Sequence, residues 1–566
     1  MEKLEINLLG ISCGHRKARN TAWLTLFALK AAEKACRRMG SLVDVTIELV
    51  DLGDPKKTIK SCIGCDEPCQ PSRESGQCTI DDDYMARELL PKIIQADGLI
   101  FGSPVFTGSY TSRFITLFER LRGLRSPAGL TNKPAGTVTT ATLVMAGQEN
   151  CLGYMDTCIR ALGMIPVNWM NGATGTSGPP YGPLPGDDDG SEIAAKKDRR
   201  GQWGAFYVGR RVAEVSVMQK IARKKLGSLY EREFIQAYNH EQGGEGWKWR
   251  ELDGADEKQM DGLTGTDLKG LDEKIISQPA LAAPDGSKCK ILGVSCDNVE
   301  GRDTSWLVIR SLKAIEKFSR RLEPSFGLET EFIELTAKKL RPCLSCDHRY
   351  EIPNGGKPWK GVDRPEDFSC IIKNDFIAKE IMPRIAEADG FVFGSSVSAL
   401  TPSSAYRILA ERLVGSVWFA HTTSKPTTNI SVSYTADGGQ ESCLSMMNVC
   451  NRWVELIPVS WLHGTPAVGG SELAVKRDEQ ARFLSVYNAR RVAEVAVMFH
   501  IAKRELGDIF QKEFLQPVHT PHGEAGWEWS RLDADDERFM QDLTPETLAR
   551  LVDKVSMPTG EEKQNA

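Results

Sequence analysis

From Leu4 to Ile11 the chain is a short apolar run closed by Ser12 and Cys13, and from Asn20 to Arg38 the spacing turns helical at Trp23, Leu26, Phe27, Lys30 and Ala31. This reads as strand, loop, helix. Val43 to Val50 alternates and is β-branched, which predicts a second strand. Tyr84 to Gln95 reads as a helix, Gly98 to Gly102 as a buried third strand and Phe114 to Arg122 as another helix. Ala135 to Thr140, a helix over Asn150 to Leu162, and Ile165 to Trp169 complete five strands separated by helices. That alternation predicts an α/β fold built on a doubly wound parallel sheet. Such sheets bind ligands outside the carboxyl ends of their strands, so the informative loops are 12–20, 103–111 and 139–148. A Gly- and Pro-rich stretch between Gly172 and Asp189 reads as a loop, and a long helix is expected over Glu192 to Leu226, followed by an acidic tail containing tryptophan.

The whole pattern then recurs. Leu9-Gly10-Ile11-Ser12-Cys13 returns as Leu292-Gly293-Val294-Ser295-Cys296, and 96–103 returns as 388–395. Gly147-Gln148-Glu149 returns as Gly439-Gln440-Glu441, Arg210-Arg211-Val212-Ala213-Glu214-Val215 as 490–495, and Gly246-Trp247-Lys248-Trp249 as Gly526-Trp527-Glu528-Trp529. A unit of about 280 residues is far too long for a solenoid repeat, so each repeat should be a domain with its own core. The expected division is an N-terminal domain over 1–276, a linker over 277–287 and a C-terminal domain over 288–566. The chain reads as a covalent pseudo-dimer, with further homo-oligomerisation open.

Composition narrows the function. The 566 residues are 41% hydrophobic and 26% charged with a net charge of −5 and no basic stripe, which argues against nucleic acid or an anionic membrane as partner. No run of 18 apolar residues occurs, and the first residues lack a signal-peptide core, so a cytoplasmic location is expected. There thiols stay reduced, and the fifteen cysteines read as buried small hydrophobes, redox groups or metal ligands rather than disulfides.

The first loop, Ser12-Cys13-Gly14-His15-Arg16-Lys17-Ala18-Arg19-Asn20-Thr21, brings hydroxyls, cations and backbone N–H groups to a helix N-terminus, which is anion-binding chemistry. No G-x-G-x-x-G follows the strand, so a phosphate monoester suits it better than a diphosphate. In the second loop, Ser103-Pro104-Val105-Phe106-Thr107-Gly108-Ser109, a fixed turn offers backbone groups to a flat heterocycle and Phe106 an apolar face. Cys62, Cys65, Cys69 and Cys78 concentrate four thiols in one segment; an iron–sulfur cluster, zinc or a loop of reduced thiols all fit. Cys151 and Cys158, and Cys443 and Cys450, lie seven apart on helices and read as packing groups. The tryptophan pairs of the tails read as packing anchors.

Together the two loops resemble the NADPH-dependent FMN reductase family of flavodoxin-like proteins, with its S-x-R-x-x-x-N/S-T phosphate loop and its Pro-containing flavin segment, here Ala96–Phe106. The cysteine segment resembles that of the iron–sulfur flavoproteins, a branch of the family. The resemblance implies two tandem flavodoxin-like five-stranded sheets, each with a C-terminal helical extension. It implies FMN held at its phosphate by Ser12, Arg16, Arg19, Asn20 and Thr21, and around its ring by Pro104, Val105, Phe106, Thr107, Gly108, Thr140 and Gly147. A [4Fe-4S] centre on Cys62, Cys65, Cys69 and Cys78 is implied as an option, with NAD(P)H as a transient co-substrate. The expected function is an FMN-dependent oxidoreductase acting on a flavin, quinone or other small acceptor; the alternative is an electron carrier or accessory subunit that takes electrons from ferredoxin or docks on a larger redox enzyme.

The second repeat departs from this pattern. Ser103–Gly108 becomes Ser395-Ser396-Val397-Ser398-Ala399-Leu400, and Asp303 replaces Asn20, where it would repel a phosphate. Cys343, Cys346, His348 and Cys370 could hold metal or form a degenerate loop. The expectation is that the second repeat has lost flavin.

Overall fold

The computed structural model describes residues 3–65, 78–122, 129–142, 146–168, 173–176, 193–234, 251–269, 271, 289–322, 326–336, 338–344, 372–414, 422–470, 473–514 and 531–552. The chain forms two compact units, one of residues 1–224 with 502–566 and the other of 225–501.

In the first unit β1 (Leu4–Ser12), β2 (Val43–Asp51), β3 (Gly98–Pro104), β4 (Pro134–Ala141) and β5 (Ile165–Pro166) stand in the order 2-1-3-4-5, with β6 (Ala173–Thr176) also on β4. Every pairing is parallel, from Leu4 opposite Val43 to Thr140 opposite Gly175. β6 falls inside the stretch expected to be a loop, and β5 is shorter than expected. The predicted helices are present as Asn20–Arg38, Ser112–Leu121, Gln148–Ala161 and Arg199–Leu226. The Tyr84–Gln95 helix opens as a π-turn, Met85–Leu89, before the α-helical Leu90–Gln95, where Pro91 supplies no N–H. Ile11, Leu99, Phe101, Phe114 and Cys151 build the core on one face of the sheet.

The second unit repeats this with β7 (Cys289–Cys296), β8 (Leu328–Glu334), β9 (Gly390–Ser398), β10 (Thr401–Pro402), β11 (Pro426–Ser433), β12 (Ile457–Pro458) and β13 (Thr465–Val468). Their order, β12-β11-β9-β7-β8, is the same doubly wound topology, with β10 and β13 attached to β9 and β11. The second sheet thus has seven strands and the first six, against five expected for each.

The units do not follow the division 1–276, 277–287 and 288–566 read from the repeats: each takes the tail of the other repeat. In the first unit the buried Trp23 donates its indole N–H to the Met540 carbonyl at 2.8 Å, Lys34 reaches the Arg531 carbonyl at 2.9 Å, and Arg37 pairs with Asp536 at 2.5 Å. In the second, Trp306 donates to the Met260 carbonyl at 2.9 Å, Lys317 to Glu251 at 2.9 Å, and Arg320 pairs with Asp256 at 2.7 Å. A buried indole N–H needs an acceptor, and in both units the exchanged tail supplies it. The duplicated Arg-Arg-Val-Ala-Glu motif acts in the same exchange. Glu214 holds Arg210 at 2.7 Å, and Arg210 reaches the Glu513 carbonyl; Glu494 holds Arg490 at 2.8 Å, and Arg490 reaches the Glu233 carbonyl. The linker 277–287 and all four tail tryptophans lie outside the described residues.

Candidate functional site

Three loops meet at the carboxyl ends of β1, β3 and β4, beside the point where the strand order turns from 1 to 3. The loop after β1 is braced from beneath. Asp51, the last residue of β2, accepts the Ala18 N–H at 2.6 Å and the Gly53 N–H at 3.0 Å, holding Ala18 at φ 53°. Burial pushes the Asp51 carboxyl up, and those two N–H groups oppose the rise. Arg113 donates to the carbonyls of Gly14, at 2.9 Å, and Leu52, and Thr111 to that of Cys13 at 2.9 Å. Neither Asp51 nor Arg113 was legible as a site residue. The signal for Asp51 was an acid at the same place in the second repeat, Glu334, whereas Arg113 becomes Ala405 there.

What this bracing presents is an incomplete set of polar partners. Arg19 Nη1 is buried and, among the described residues, has no hydrogen-bond partner; the buried Ser12 hydroxyl of the same loop makes no well-formed hydrogen bond and lies close enough to Asp51 to oppose the rise of that carboxyl. The helix Asn20–Arg38 begins with no side-chain cap and no acid in its first turn, leaving its leading N–H groups to an outside acceptor. His15, Arg16 and Lys17 are exposed around it, Lys17 paired with Asp54 at 2.6 Å. Two residues expected at the phosphate are engaged elsewhere: Asn20 Oδ1 accepts the Ala195 N–H at 3.0 Å, and the Thr21 hydroxyl is 2.8 Å from that of Thr140.

The loop after β3 is a tight hairpin turn. Phe106 and Ser109 exchange N–H···O bonds of 2.7 and 3.1 Å, with Thr107 at φ 52° and Gly108 at φ 74° between them. Thr139 donates to the Ser103 carbonyl at 2.6 Å, and the Val105 N–H to the Thr140 carbonyl at 2.7 Å. Gly147, at φ 101°, lies so close that a Cβ there would stand 2.8 Å from the Gly108 Cα. Phe106 is 59% exposed and meets the His15 ring edge-on at 4.9 Å, joining the two loops. Pro104, Val105, Phe106, Thr107, Gly108, Thr140 and Gly147 thus share one sheet edge with Ser12, Arg16, Arg19, Asn20 and Thr21.

The second repeat closes the same place from within. Ser295 Oγ is 2.9 Å from Ser305 Oγ, Ser305 donates to Glu334 at 2.7 Å, and Glu334 accepts the Gly301 N–H at 3.2 Å. Ala22 stands in the first repeat where Ser305 stands here, so Ser12 lacks the hydroxyl partner that Ser295 has. The loop 12–21 carries three basic and no acidic residues; 295–304 carries one basic and three acidic. Asp303, expected to repel a phosphate, accepts the N–H groups of Val475 at 2.9 Å and Gly470 at 3.0 Å, the structural task Asn20 performs. The turn persists although its residues change. Ser398 pairs with Thr401 around Ala399 at φ 49° and Leu400 at φ 65°, the hairpin geometry of Thr107-Gly108 without its glycine.

A family model of NADPH-dependent FMN reductase matches residues 6–175 and again 290–462, more than half of the chain. The chain belongs to the NADPH-dependent FMN reductase family. It carries that family's domain twice, as a tandem duplication. An iron–sulfur flavoprotein of Methanocaldococcus jannaschii is 32% identical over 211 residues, 37% of this chain and 97% of the relative. One from Archaeoglobus fulgidus is 29% identical over 222 residues, 39% of this chain and 100% of the relative. A protein named NAD(P)H dehydrogenase (quinone), from Paracoccus denitrificans, is 28% identical over 136 residues, 23% of this chain and 65% of the relative.

In this FMN reductase family member the cysteine segment is anchored at its root. Arg120 pairs with Asp83 at 2.7 Å, donates to the carbonyls of Lys60 and Ile80 at 2.9 Å each, and turns Nε to the Cys78 sulfur at 3.2 Å. Burial opposes charge on Asp83, but hydrogen bonds from Arg120 and from the Lys60 and Ala86 N–H groups outweigh it and hold the carboxyl low. The Thr79 hydroxyl points to the Cys65 sulfur at 3.2 Å, bringing that end of the Cys62–Cys65 pair beside the Cys78 strand of chain. Cys69 lies outside the described residues, as do Cys346, His348 and Cys370. The second repeat keeps the anchor as Arg412 on Asp375 at 2.8 Å. Cys151 and Cys443 are fully buried, and burial pushes both thiols up to about 11, which suits packing groups.

Proposed function

We propose that the first repeat binds one FMN and works as an NAD(P)H-dependent oxidoreductase towards a flavin, quinone or other small acceptor, while the second repeat carries no flavin. The observation that carries this reading is the buried, partnerless Arg19 Nη1 together with Ser12 Oγ in a basic loop at an uncapped helix end, against an acidic counterpart in which Ser295, Ser305 and Glu334 Oε1 bond one another. Ser12, Arg19 and the first N–H groups of the helix would hold the phosphate, with Arg16 and Lys17 adding long-range attraction. Thr21 and Asn20 would shape the pocket floor rather than touch the phosphate. The turn Pro104–Gly108, with Thr140 and Gly147, would border the ring. Bound FMN supplies the acceptance of a hydride or of single electrons and their delivery to the acceptor. Asp51, Arg113 and Thr111 keep the loop in its binding shape before the ligand arrives, which lowers the ordering cost of binding. The relatives named for NAD(P)H and quinone support that donor and acceptor. Among the described residues no helix is long and apolar enough to cross a membrane; we assign the protein to the cytoplasm, where its thiols stay reduced.

A second reading, an electron carrier fed by ferredoxin through a [4Fe-4S] centre, draws on one observation. Thr79, next to Cys78, bonds the Cys65 sulfur while Arg120 turns to Cys78 at the anchored end of their loop, and the relatives named iron–sulfur flavoproteins fit it. Anaerobic mixing of the purified full chain with NADPH or NADH separates the two. Rapid bleaching of the flavin absorbance with turnover of a quinone is the expected result; no bleaching by either nucleotide, with bleaching by reduced ferredoxin, would replace the reductase reading by the carrier.

A further inference from the structure

The two repeats treat the amino end of their sheets differently. In the first, Asp97 is fixed by the backbone of Asn7, whose N–H it accepts at 2.9 Å and whose carbonyl takes the Asp97 N–H at 2.7 Å. Lys220 on the long helix reaches Asp97 at 3.0 and 3.1 Å, and Ile6 is buried beside it in β1. In the second, Asp389 is fixed by Lys290 through the same two bonds, 3.0 and 2.7 Å. Here the position of Lys220 is His500 and that of Ile6 is Cys289. His500 Nδ1 lies 3.5 Å from Asp389 Oδ2, and a nitrogen of His500, a carboxylate oxygen of Asp389 and the Cys289 sulfur all fall within 4.8 Å of one another. The Phe326 ring meets the imidazole edge-on at 5.6 Å and limits its rotation.

We propose that Cys289, Asp389 and His500 form a zinc-binding site at the amino end of the second sheet. Replacing the Lys–Asp ion pair by a His–Asp pair would not by itself call for the change of Ile to Cys. The two changes together surround an unaltered carboxylate with an imidazole and a thiolate, the ligand types zinc favours. Tetrahedral zinc with bonds of about 2.0–2.3 Å sets its ligand atoms about 3.3–3.8 Å apart. The His500–Asp389 separation already meets that, and drawing in the Cys289 sulfur needs at most about 1.3 Å. Cys289 is fully buried whereas Asp389 and His500 are partly exposed, so the fourth position faces solvent and would hold water. Binding takes the proton from the Cys289 thiol and leaves the His500 imidazole neutral.

The test compares the full chain with a Cys289→Ile/His500→Lys variant, which carries the residues the first repeat already packs at these places. After chelation, both are titrated with Co2+ as a spectroscopic substitute for zinc. The wild type should take up one more equivalent than the variant and show additional thiolate-to-cobalt absorption; thiols of the cysteine segments, common to both, cancel in the difference. Saturating Zn2+ should raise the thermal midpoint of the wild type more than that of the variant. Cys289→Ser, a near-isosteric change, should lose the same absorption and serves if the double variant folds poorly. Equal stoichiometry with superimposable spectra would overturn the site.

Discussion

Arg19 Nη1 has no hydrogen-bond partner among the described residues, so a change there should act on flavin more than on folding. Arg19→Glu should weaken FMN binding by about 10- to 100-fold, the worth of one charge-assisted hydrogen bond, with little change in thermal midpoint. The same charge change at Arg302 should leave FMN affinity untouched; equal losses at both positions, measured by fluorescence titration of released flavin, would count against a single site. Asn20→Asp should be milder than Arg19→Glu, because Asp303 shows that a carboxylate can take the backbone N–H groups that position receives. That engagement was not legible beforehand. Residue type and spacing announced an anion loop, but whether an Asn faces a ligand or the N–H of Ala195, 175 residues away, is decided by tertiary packing. For the same reason Asp303 read as repulsive although it is engaged with the Val475 and Gly470 backbone.

At the scale of elements, strands and helices were legible because a buried parallel sheet writes continuous apolar runs and its helices write a 3.6-residue period. The turn after β9 was not, because its geometry is imposed by the β9–β10 pairing and not by turn residues. Ala399 and Leu400 both sit at positive φ, where a side chain costs about 1 kcal/mol or more. Leu400→Gly should therefore raise stability by about 1 kcal/mol in chemical denaturation, whereas Gly108→Val in the first repeat should lower it by a similar amount. The anchors of the cysteine segments make a pH prediction. Asp83 and Asp375 are held below the ordinary carboxylate value of 3.8, so their contribution is complete above that value and is lost as pH falls through the lowered one. Arg120→Met, which strands Asp83, should cost about 3–5 kcal/mol at neutral pH and about 1 kcal/mol or less once the carboxyl is protonated in acid. An equal cost at both pH values would show that the pair is not what anchors the segment.

For the whole molecule, the duplication was plain in the sequence and the exchange of tails was not. Repeats reveal which segments are alike, not which copy of a tail packs on which sheet. The consequence is that residues 1–285 lack residues 502–566, which the first unit requires. Expressed alone, they should leave Trp23 without its Met540 acceptor and Lys34 and Arg37 without theirs, and should fold poorly and bind FMN weakly; residues 286–566 supplied in trans should restore both. Arg19 also adds to the forces that hold the Glu546 carboxyl low, after its own backbone N–H and the Thr544 hydroxyl, which brings the exchanged tail beside the proposed phosphate loop. Full flavin affinity in the isolated 1–285 fragment would show that the tail has no part in the site. The account rests above all on one functional flavin site in a doubled chain. Flavin released from the purified, FMN-saturated full-length protein, quantified per chain, measures this directly: one FMN per chain is the predicted result, and two would show that the second repeat, with its acidic loop and internally bonded Ser295, binds flavin after all.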